Sequence, residues 1–392
     1  EFIGWAFPEI PHEAVEWVRS HADGKGATNI WAPYIIPFGD KYRLYYCVSA
    51  FGLKTSYIGL AESASPEGPW MQRGCVVKTD ATSVMNAIDP SIIADSATGK
   101  WWMHYGSFFG GLYCVELNPE TGLPVQEGDQ GHLIARRATY WKDNLEAPEI
   151  IYNPELKQYY LFVSYDPLMT TYNVRVGRSD KAEGPFVDYF GVELKNTTNN
   201  FPILTAPYRF NNHPGWAGTA HCAVFTSDEG QYFMAHQGRL SPHNQMMDLH
   251  LRQVFFTSDG WPVVSPERYT GSASRKFSAA DIVGEWEIIR VQEPAYERQL
   301  QAGQILWGEG QLKNEEWNVS CTLSLKKDGQ LDENKGYWKF AERGQLLSLT
   351  LNGESVDNLL VFAGHDWENE TETVLFTGLD SRGRSVWGKR TK

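Results

Sequence analysis

The chain has 392 residues, more than one hydrophobic core usually supports, so two domains are expected. Aromatic residues make up 14% of it and charged residues 21%, a composition typical of a folded protein and not of a disordered one. The formal net charge of −13 disfavours electrostatic capture of nucleic acid or of an anionic membrane. A neutral partner fits this charge better.

The five cysteines are scattered and form no C-x-x-C pair, which indicates neither a zinc site nor a dense disulfide framework. Their redox state stays open. No run of about 18 apolar residues exists, so no membrane span is predicted. Glu1 is followed by Phe-Ile-Gly-Trp and not by the charged start of a signal peptide. We expect a monomer with no nucleic-acid or membrane partner.

Short aromatic and β-branched runs dominate the chain, separated by clusters of Gly, Pro, Asn or Asp. The clearest predicted strands lie at 42–48, 101–105, 159–164, 231–236 and 251–256. Helical periodicity is confined to 11–18 and to the residues around 297–300. The pattern therefore predicts an all-β architecture.

An internal repeat links two Gly-Pro turns. Glu67-Gly68-Pro69-Trp70 and Glu183-Gly184-Pro185-Phe186 lie 116 positions apart (185 − 69), with one similar unit between them. The implied period of about 58 is in the range of a four-stranded propeller blade. The repeats predict a first domain over 1–270. The composition of 271–280, rich in Gly, Ser and Ala, indicates a linker, and the short strands and turns over 281–392 predict a small β-barrel or sandwich. Within the first domain the blades are expected at 29–83, 84–143, 144–210 and 211–270.

Two acidic residues recur at the starts of predicted blades. Ile88-Asp89-Pro90 and Leu145-Glu146-Ala147-Pro148 place carboxylates 57 positions apart (146 − 89), which is one blade period. Both are therefore expected near the central channel, facing one cavity. A carboxylate pair of this kind is what glycosidic bond cleavage needs. The alternative is that each acid caps a turn before proline, and the repeat spacing weakens that alternative.

Six motifs between residues 29 and 270 carry a family resemblance. They are Asn29-Ile30-Trp31-Ala32-Pro33, Asn86-Ala87-Ile88-Asp89-Pro90-Ser91, Gly106-Ser107-Phe108-Phe109-Gly110-Gly111, Leu145-Glu146-Ala147-Pro148, Tyr160-Leu161-Phe162-Val163-Ser164-Tyr165 and Asp259-Gly260-Trp261-Pro262-Val263. Jointly they resemble the arabinanases of glycoside hydrolase family 43. The region 281–392 resembles the C-terminal β-domain of larger bacterial members. The resemblance implies a five-bladed β-propeller whose first blade is largely absent here.

The resemblance also implies an inverting mechanism with three carboxylates. Asp89 matches the residue that modulates the pKa of the acid and orients it, and Glu146 matches the general acid. The general base has no match, and we expect it upstream of residue 1, because 1–27 looks like the end of the first blade. The other possibility is a natural variant without a base.

His221, in Gly218-Thr219-Ala220-His221-Cys222, aligns with a Gly-x-x-His element of the family. The resemblance implies that it helps to hold a hard cation, calcium or sodium, mostly through water. A lone histidine is more often a satisfied structural residue. Thr219, Ala220 and Cys222 depart from the family element, which leaves the identity of the metal open.

Aromatic residues in these motifs are candidates for stacking on the apolar faces of arabinose rings. They are Trp31, Phe109 and Tyr165. We expect four polar residues to bind the substrate with them: Asn86, Ser107, Ser164 and Arg239. Two roles are open for His236 and Arg239, which are contact with the substrate in the cleft or a structural link between blades. Most of the other tryptophans are expected in the core.

The leading hypothesis is an inverting hydrolase of α-1,5-linked L-arabinan or arabino-oligosaccharides, with endo or exo action undecided. Another family activity, arabinofuranosidase or xylosidase, remains an alternative. A non-catalytic carbohydrate-binding propeller and a protein-interaction scaffold are further alternatives, although a scaffold needs no paired channel carboxylates. A polymeric substrate implies an extracellular protein.

Overall fold

The computed structural model describes residues 2–137, 143–196, 199–243, 245–293, 312, 314–332 and 335–391. The predicted all-β class is confirmed, since 47% of the chain is strand and 5% is helix. In the described residues the helices are α1 (His12–His21) and α2 (Ala279–Ile282), and a 3₁₀ turn covers Asn314–Glu316. Within the described ranges, no helix combines the length and the apolar character needed to cross a membrane.

The described part of the chain contains these strands, in chain order: β1 (Trp31–Phe38), β2 (Lys41–Ser49), β3 (Ser56–Ser63), β4 (Met71–Thr79), β5 (Ser91–Ala94), β6 (Trp101–Tyr105), β7 (Leu112–Leu117), β8 (His132–Ala135), β9 (Leu145–Asn153), β10 (Gln158–Tyr165), β11 (Asn173–Ser179), β12 (Ile203–Thr205), β13 (Tyr208–Arg209), β14 (Trp216–Ala217), β15 (Ala223–Thr226), β16 (Tyr232–Leu240), β17 (Asp248–Phe256), β18 (Pro262–Val264), β19 (Gly284–Arg290), β20 (Asn318–Val319), β21 (Cys321–Leu325), β22 (Gly336–Ala341), β23 (Leu346–Leu351), β24 (Glu354–Asp366), β25 (Thr371–Leu379) and β26 (Ser385–Arg390). All five clearest predicted runs fall on strands, namely β2, β6, β10, β16 and β17.

Helix α1 confirms the helix predicted at 11–18 and corrects the prediction that 1–27 ends a blade. Residues 2–27 contain no strand. Ala14 and Val18 recur at the four-residue spacing of a helical face, and both are buried. They pack in one cluster with Tyr46, Val48 and Tyr57 of β2 and β3. The helix predicted around 297–300 lies outside the described residues.

The first twelve strands form three four-stranded sheets. Their orders are β1-β2-β3-β4, β5-β6-β7-β8 and β12-β11-β10-β9. Each of these sheets lies within the residue range predicted for one blade. Strands β2, β3 and β10 are buried along nearly their whole length. Both faces of the sheet are therefore covered along these strands.

A seven-stranded sheet follows, with order β18-β17-β16-β14-β13-β20 and β15 paired to β16. Its strand β20 comes from the C-terminal part of the chain and pairs in parallel with β13, Tyr208 opposite Asn318. The sheet therefore combines strands that precede and follow the predicted linker at 271–280. Helix α2 begins within that linker, at Ala279.

The C-terminal region folds as one seven-stranded antiparallel sheet, order β21-β19-β26-β25-β24-β23-β22. This corrects the alternative of a two-sheet sandwich. Leu325 of β21 and Trp338 of β22 lie on opposite edge strands and yet belong to one apolar cluster. A sheet whose two edge strands cover the same core must curl around it. The predicted β-barrel therefore agrees with this sheet better than the predicted sandwich does.

The chain divides into two compact units. The first comprises Glu1–Val163 and Gly177–Asn199, and one of its apolar clusters includes Tyr45, Leu60 and Met103. The second comprises Ser164–Val176 and Asn200–Lys392, with a core around Trp286. The domain boundaries at 270 and 281 stay a prediction.

A buried cluster of charged side chains lies in the second unit. The Lys389 ammonium lies 2.9 Å from Glu267 and 3.0 Å from Asp366, and it also pairs with Glu368. Burial raises the pKa of Glu267 to about 8, with Lys389 opposing the shift. Glu267 thus binds its proton more tightly in the folded state. Its contribution to stability is full below about pH 4.5 and is lost as the pH rises through 8.

We predict that Lys389→Met lowers the free energy of unfolding by about 3–5 kcal/mol, because it leaves buried carboxylates without their cation. Urea denaturation measures this loss, and it should shrink at low pH, where the carboxyls are protonated. Lys100→Met is the matched control, since the Lys100–Glu116 pair is 48% and 33% exposed and contributes about 0–1 kcal/mol. Equal losses from the two variants would contradict the prediction.

Candidate active site

The two predicted carboxylates lie at corresponding places in the first unit. Asp89 lies two residues before β5, and Glu146 is the second residue of β9. Asp89 is 6% exposed and Glu146 is half-buried. Asp89 has φ +55°, and Ala147, next to Glu146, has φ +53°. These left-handed conformations are costly for residues other than glycine and persist where surrounding structure enforces them.

Residues 106–111, here called the 106–111 loop, form hydrogen bonds to the two segments that carry Asp89 and Glu146. The amide of Gly106 donates to the carbonyl of Ile88, the residue before Asp89, at 2.9 Å. The amide of Phe108 donates to the carbonyl of Leu145, the residue before Glu146, at 2.8 Å. One short loop therefore fixes the main chain on which both acids lie.

Ser107 contacts the predicted acid directly. Its hydroxyl donates to Glu146 Oε2 at 2.8 Å, and the two residues form an isolated antiparallel bridge. Ser107 is 4% exposed, which leaves little of it for the substrate contact expected from the sequence. The structure instead gives it a part in orienting Glu146. Asp143 also holds the loop, because its Oδ2 accepts from the amide of Gly110 at 2.8 Å.

Asp89 and Asn86 lie on the same buried segment. Asn86 is 3% exposed, and its Oδ1 accepts a hydrogen bond from the Ser56 hydroxyl at 2.6 Å. Burial raises the pKa of the Cys47 thiol well above its usual value, and the charge of Asp89 adds to that shift. Asp89 therefore lies close to Cys47 of β2.

Two of the three predicted stacking residues are half-buried. Trp31 opens β1 and is half-buried, with its ring centroid 6.0 Å from that of Phe51. Phe109 is half-buried at the tip of the 106–111 loop. The stacking roles of both residues stay a prediction.

Tyr165 differs from them, because it lies inside the second unit. It is 1% exposed, and its hydroxyl donates to Asn200 Oδ1. The Arg175 guanidinium lies 5.3 Å from the centre of its ring. The ring can stack on a sugar only if it leaves this position, so its stacking role stays a prediction.

Ser164 and His221 are also brought together in the second unit. The main-chain amide of His221 donates to the Ser164 hydroxyl at 2.8 Å, and His221 has φ +52°. Ser164 is fully buried, so in this structure it supports the His221 turn. The His221 side chain is half-buried.

Arg239 and His236 lie on β16. Arg239 is 3% exposed and donates to Gln237 Oε1 at 3.1 Å. His236 Nε2 accepts from Arg252 Nε at 2.9 Å, and burial lowers the pKa of His236 to about 3. His236 is thus a neutral core residue, bonded to Arg252 of the neighbouring strand β17.

One acidic cluster in the described part of the chain has three carboxylates close enough to share a metal ion. It consists of Glu267, Asp366 and Glu368. The Lys389 ammonium lies among these carboxylates and takes the place of a cation. This cluster therefore does not fit a metal site, and it differs from the position predicted at His221.

Sequence reasoning gave no role to Glu149, a further buried carboxylate three residues after Glu146. It is 6% exposed and accepts a hydrogen bond from Ser91 at 2.8 Å. An acidic residue inside the apolar run 145–153 was the available signal. Its partner lies 58 positions away, beyond the reach of a local pattern.

Residues 11–262 match the model of glycosyl hydrolases family 43. The chain belongs to this family. The motif resemblance is thereby confirmed, and the protein is a glycoside hydrolase. Residues 266–388 match a second model, described as a C-terminal lipocalin-like domain.

Relatives of this family 43 protein match nearly its whole length. It is 29% identical to the extracellular endo-alpha-(1->5)-L-arabinanase of Thermotoga petrophila, over 97% of this chain and 82% of the relative. It is 27% identical to the extracellular endo-alpha-(1->5)-L-arabinanase 2 of Bacillus subtilis, over 96% and 81%. The crystal structure of endo-1,5-alpha-L-arabinanase from Thermotoga petrophila RKU-1 matches with a TM-score of 0.83 at 27% identity, covering 98% of this chain and 89% of that one.

We predict that Gly110→Ala disrupts the 106–111 loop. Gly110 has φ +107°, and an added Cβ would lie 2.0 Å from the carbonyl oxygen of Val84. Gly128→Ala is the matched control, because Gly128 has φ +78° with no atom within 4 Å of the added Cβ. Thermal and urea unfolding should show a loss of about 1 kcal/mol for the control and at least about 2 kcal/mol for Gly110→Ala. Equal losses would show that the loop tolerates the side chain.

Proposed function

We propose that this chain hydrolyses α-1,5-L-arabinofuranosidic bonds in arabinan, with Glu146 as general acid and Asp89 as the residue that modulates and orients it. The observation that carries the proposal is the 106–111 loop, which hydrogen-bonds to Glu146 and to the segments on which both acids lie. The two named relatives and the crystal structure are arabinanases, which supports arabinan as the substrate.

The proposed reaction is a single displacement. Glu146 gives its proton to the glycosidic oxygen as the bond from that oxygen to the anomeric carbon breaks, and water attacks the carbon from the opposite face. A base carboxylate takes the proton of that water, and we assign no residue of this chain to the base. Ser107 holds Glu146 Oε2, so the orientation of the acid is set before the substrate binds.

Substrate contacts are proposed in two classes. Trp31 and Phe109 offer partly exposed rings for stacking. The polar candidates Asn86, Ser164 and Arg239 are buried, as is Tyr165, and they serve mainly to hold the surfaces that touch the sugar. Ser107 is proposed to orient Glu146 and not to contact the sugar.

The finer fold assignment is also a proposal. We infer that the sheets β1–β4, β5–β8 and β9–β12 are blades of a five-bladed propeller, as family membership implies. The catalytic part then covers 1–270, the linker 271–280 and the C-terminal domain 281–392. A monomer acting outside the cell suits a polymeric substrate, and both named relatives are described as extracellular.

A hard cation, calcium or sodium, is proposed near His221. The half-buried imidazole offers one ligand, and no described trio of carboxylates, cysteines and histidines includes it. Water would therefore supply most of the coordination, which suits a hard cation. When bound, the cation would supply positive charge beside His221.

Glu146→Gln tests the proposed function. The amide cannot deliver a proton, so release of reducing sugar from linear arabinan should fall by about 10²- to 10⁴-fold, with unchanged thermal unfolding. Glu116→Gln is the control, because Glu116 is a partly exposed acid of β7 paired with Lys100. Activity of Glu146→Gln equal to that of the control would remove Glu146 from the role. Arabinan binding without hydrolysis by the wild type would favour the non-catalytic alternative.

A further inference from the structure

A buried hydrogen bond joins β5, which follows Asp89, to β9, which contains Glu146. Ser91, the first residue of β5, donates from its hydroxyl to Glu149 Oε2 on β9 at 2.8 Å. The same hydroxyl accepts from the main-chain amide of Ile150 at 3.1 Å. Ser91 is 1% exposed and Glu149 is 6% exposed. Neither residue has a part in the proposed chemistry.

We propose that Ser91 and Glu149 are positioning residues, which fix the separation between Asp89 and Glu146. This inference rests on the proposed function of those two acids. The Ser91 hydroxyl is held by one donor and one acceptor of β9, so its orientation is determined from both sides. The bond thus sets how far β5 and β9 lie apart.

The connection from this bond to the acids is short and stiff. Only Pro90 separates Ser91 from Asp89, and only Ala147 and Pro148 separate Glu149 from Glu146. Proline fixes its own φ, which removes one of the two soft torsions at each of these positions. At a strand rise of about 3.3 Å per residue, the bond acts within roughly 7–10 Å of both acids. A change in strand separation therefore moves the acids with it.

The backbone at the acids needs such support. Asp89 and Ala147 both have left-handed φ values, which are maintained only where contacts on more than one side enforce them. The 106–111 loop supplies one set of contacts, through the residues before the two acids. The bond between Ser91 and Glu149 supplies the other, through the residues after them.

The burial of Glu149 supports a geometric purpose. A buried carboxylate is costly, and an apolar residue of similar size would fill the same space without that cost. Tyr34 lies nearby, and its pKa is raised by burial and by the charge of Glu149. The carboxylate thus lies in poorly solvated surroundings, where a hydrogen bond holds its partner firmly.

The test compares three variants with one control on linear arabinan. Ser91→Ala removes the donor and Glu149→Met removes the acceptor, whereas Glu149→Gln keeps an amide oxygen that accepts from Ser91. The control is Tyr159→Phe, which removes another buried hydrogen bond of the first unit, from Tyr159 to Asp95 Oδ1 at 2.7 Å. Thermal unfolding of all four variants separates folding defects from catalytic ones.

We expect Ser91→Ala and Glu149→Met to lose about 10- to 100-fold in kcat, the effect of a small misplacement of catalytic groups, with KM within about twofold of the wild type. Glu149→Gln should keep most of the activity, and Tyr159→Phe should lose stability only. If Ser91→Ala does not fold, the kcat of Glu149→Gln compared with that of Glu149→Met tests the inference by itself.

Two results would overturn the inference: kcat values for Ser91→Ala and Glu149→Met that match the control, or equal losses from the Gln and Met variants. Glu146→Gln measured alongside keeps the two proposals apart. Its inactivity together with unaffected positioning variants removes only the positioning role. Full activity of Glu146→Gln removes the proposed function itself.

Discussion

The candidate site depends on one constraint, the hydrogen bonding of the 106–111 loop to both carboxylate segments. The loop itself is strained, with φ +52° at Phe108 and +31° at Phe109. It is also tightly packed, because an added Cβ on Gly111 would lie 2.2 Å from a carbonyl oxygen. Strain and packing of this kind leave few alternative positions for Ser107, and so for the carboxylate of Glu146 that it holds.

The repeat explains why much of this arrangement is predictable from the sequence. Strand-rich runs separated by turn residues recur with a period close to 58, and the three four-stranded sheets follow that period. Asp89 and Glu146, 57 positions apart (146 − 89), consequently precede or begin corresponding strands, β5 and β9. A local pattern suffices here, because each repeat forms its own sheet from neighbouring strands.

Contacts between distant residues were not predictable in this way. The burial of Tyr165 depends on Asn200, and the role of Ser107 depends on a partner 39 positions away. The single curled C-terminal sheet likewise depends on edge strands that share one core. A strand pattern predicts which side chains alternate, but it does not predict which distant segment covers them.

The central claim is that Glu146 acts as the acid of a single-displacement hydrolase. The stereochemistry of the product tests this claim most directly. Proton NMR of wild-type hydrolysis of an α-arabinan substrate, recorded before mutarotation, identifies the first anomer formed. Attack by water on the face opposite the bond that Glu146 protonates predicts β-configured product. An initial α product would indicate retention through a covalent intermediate and would contradict the account.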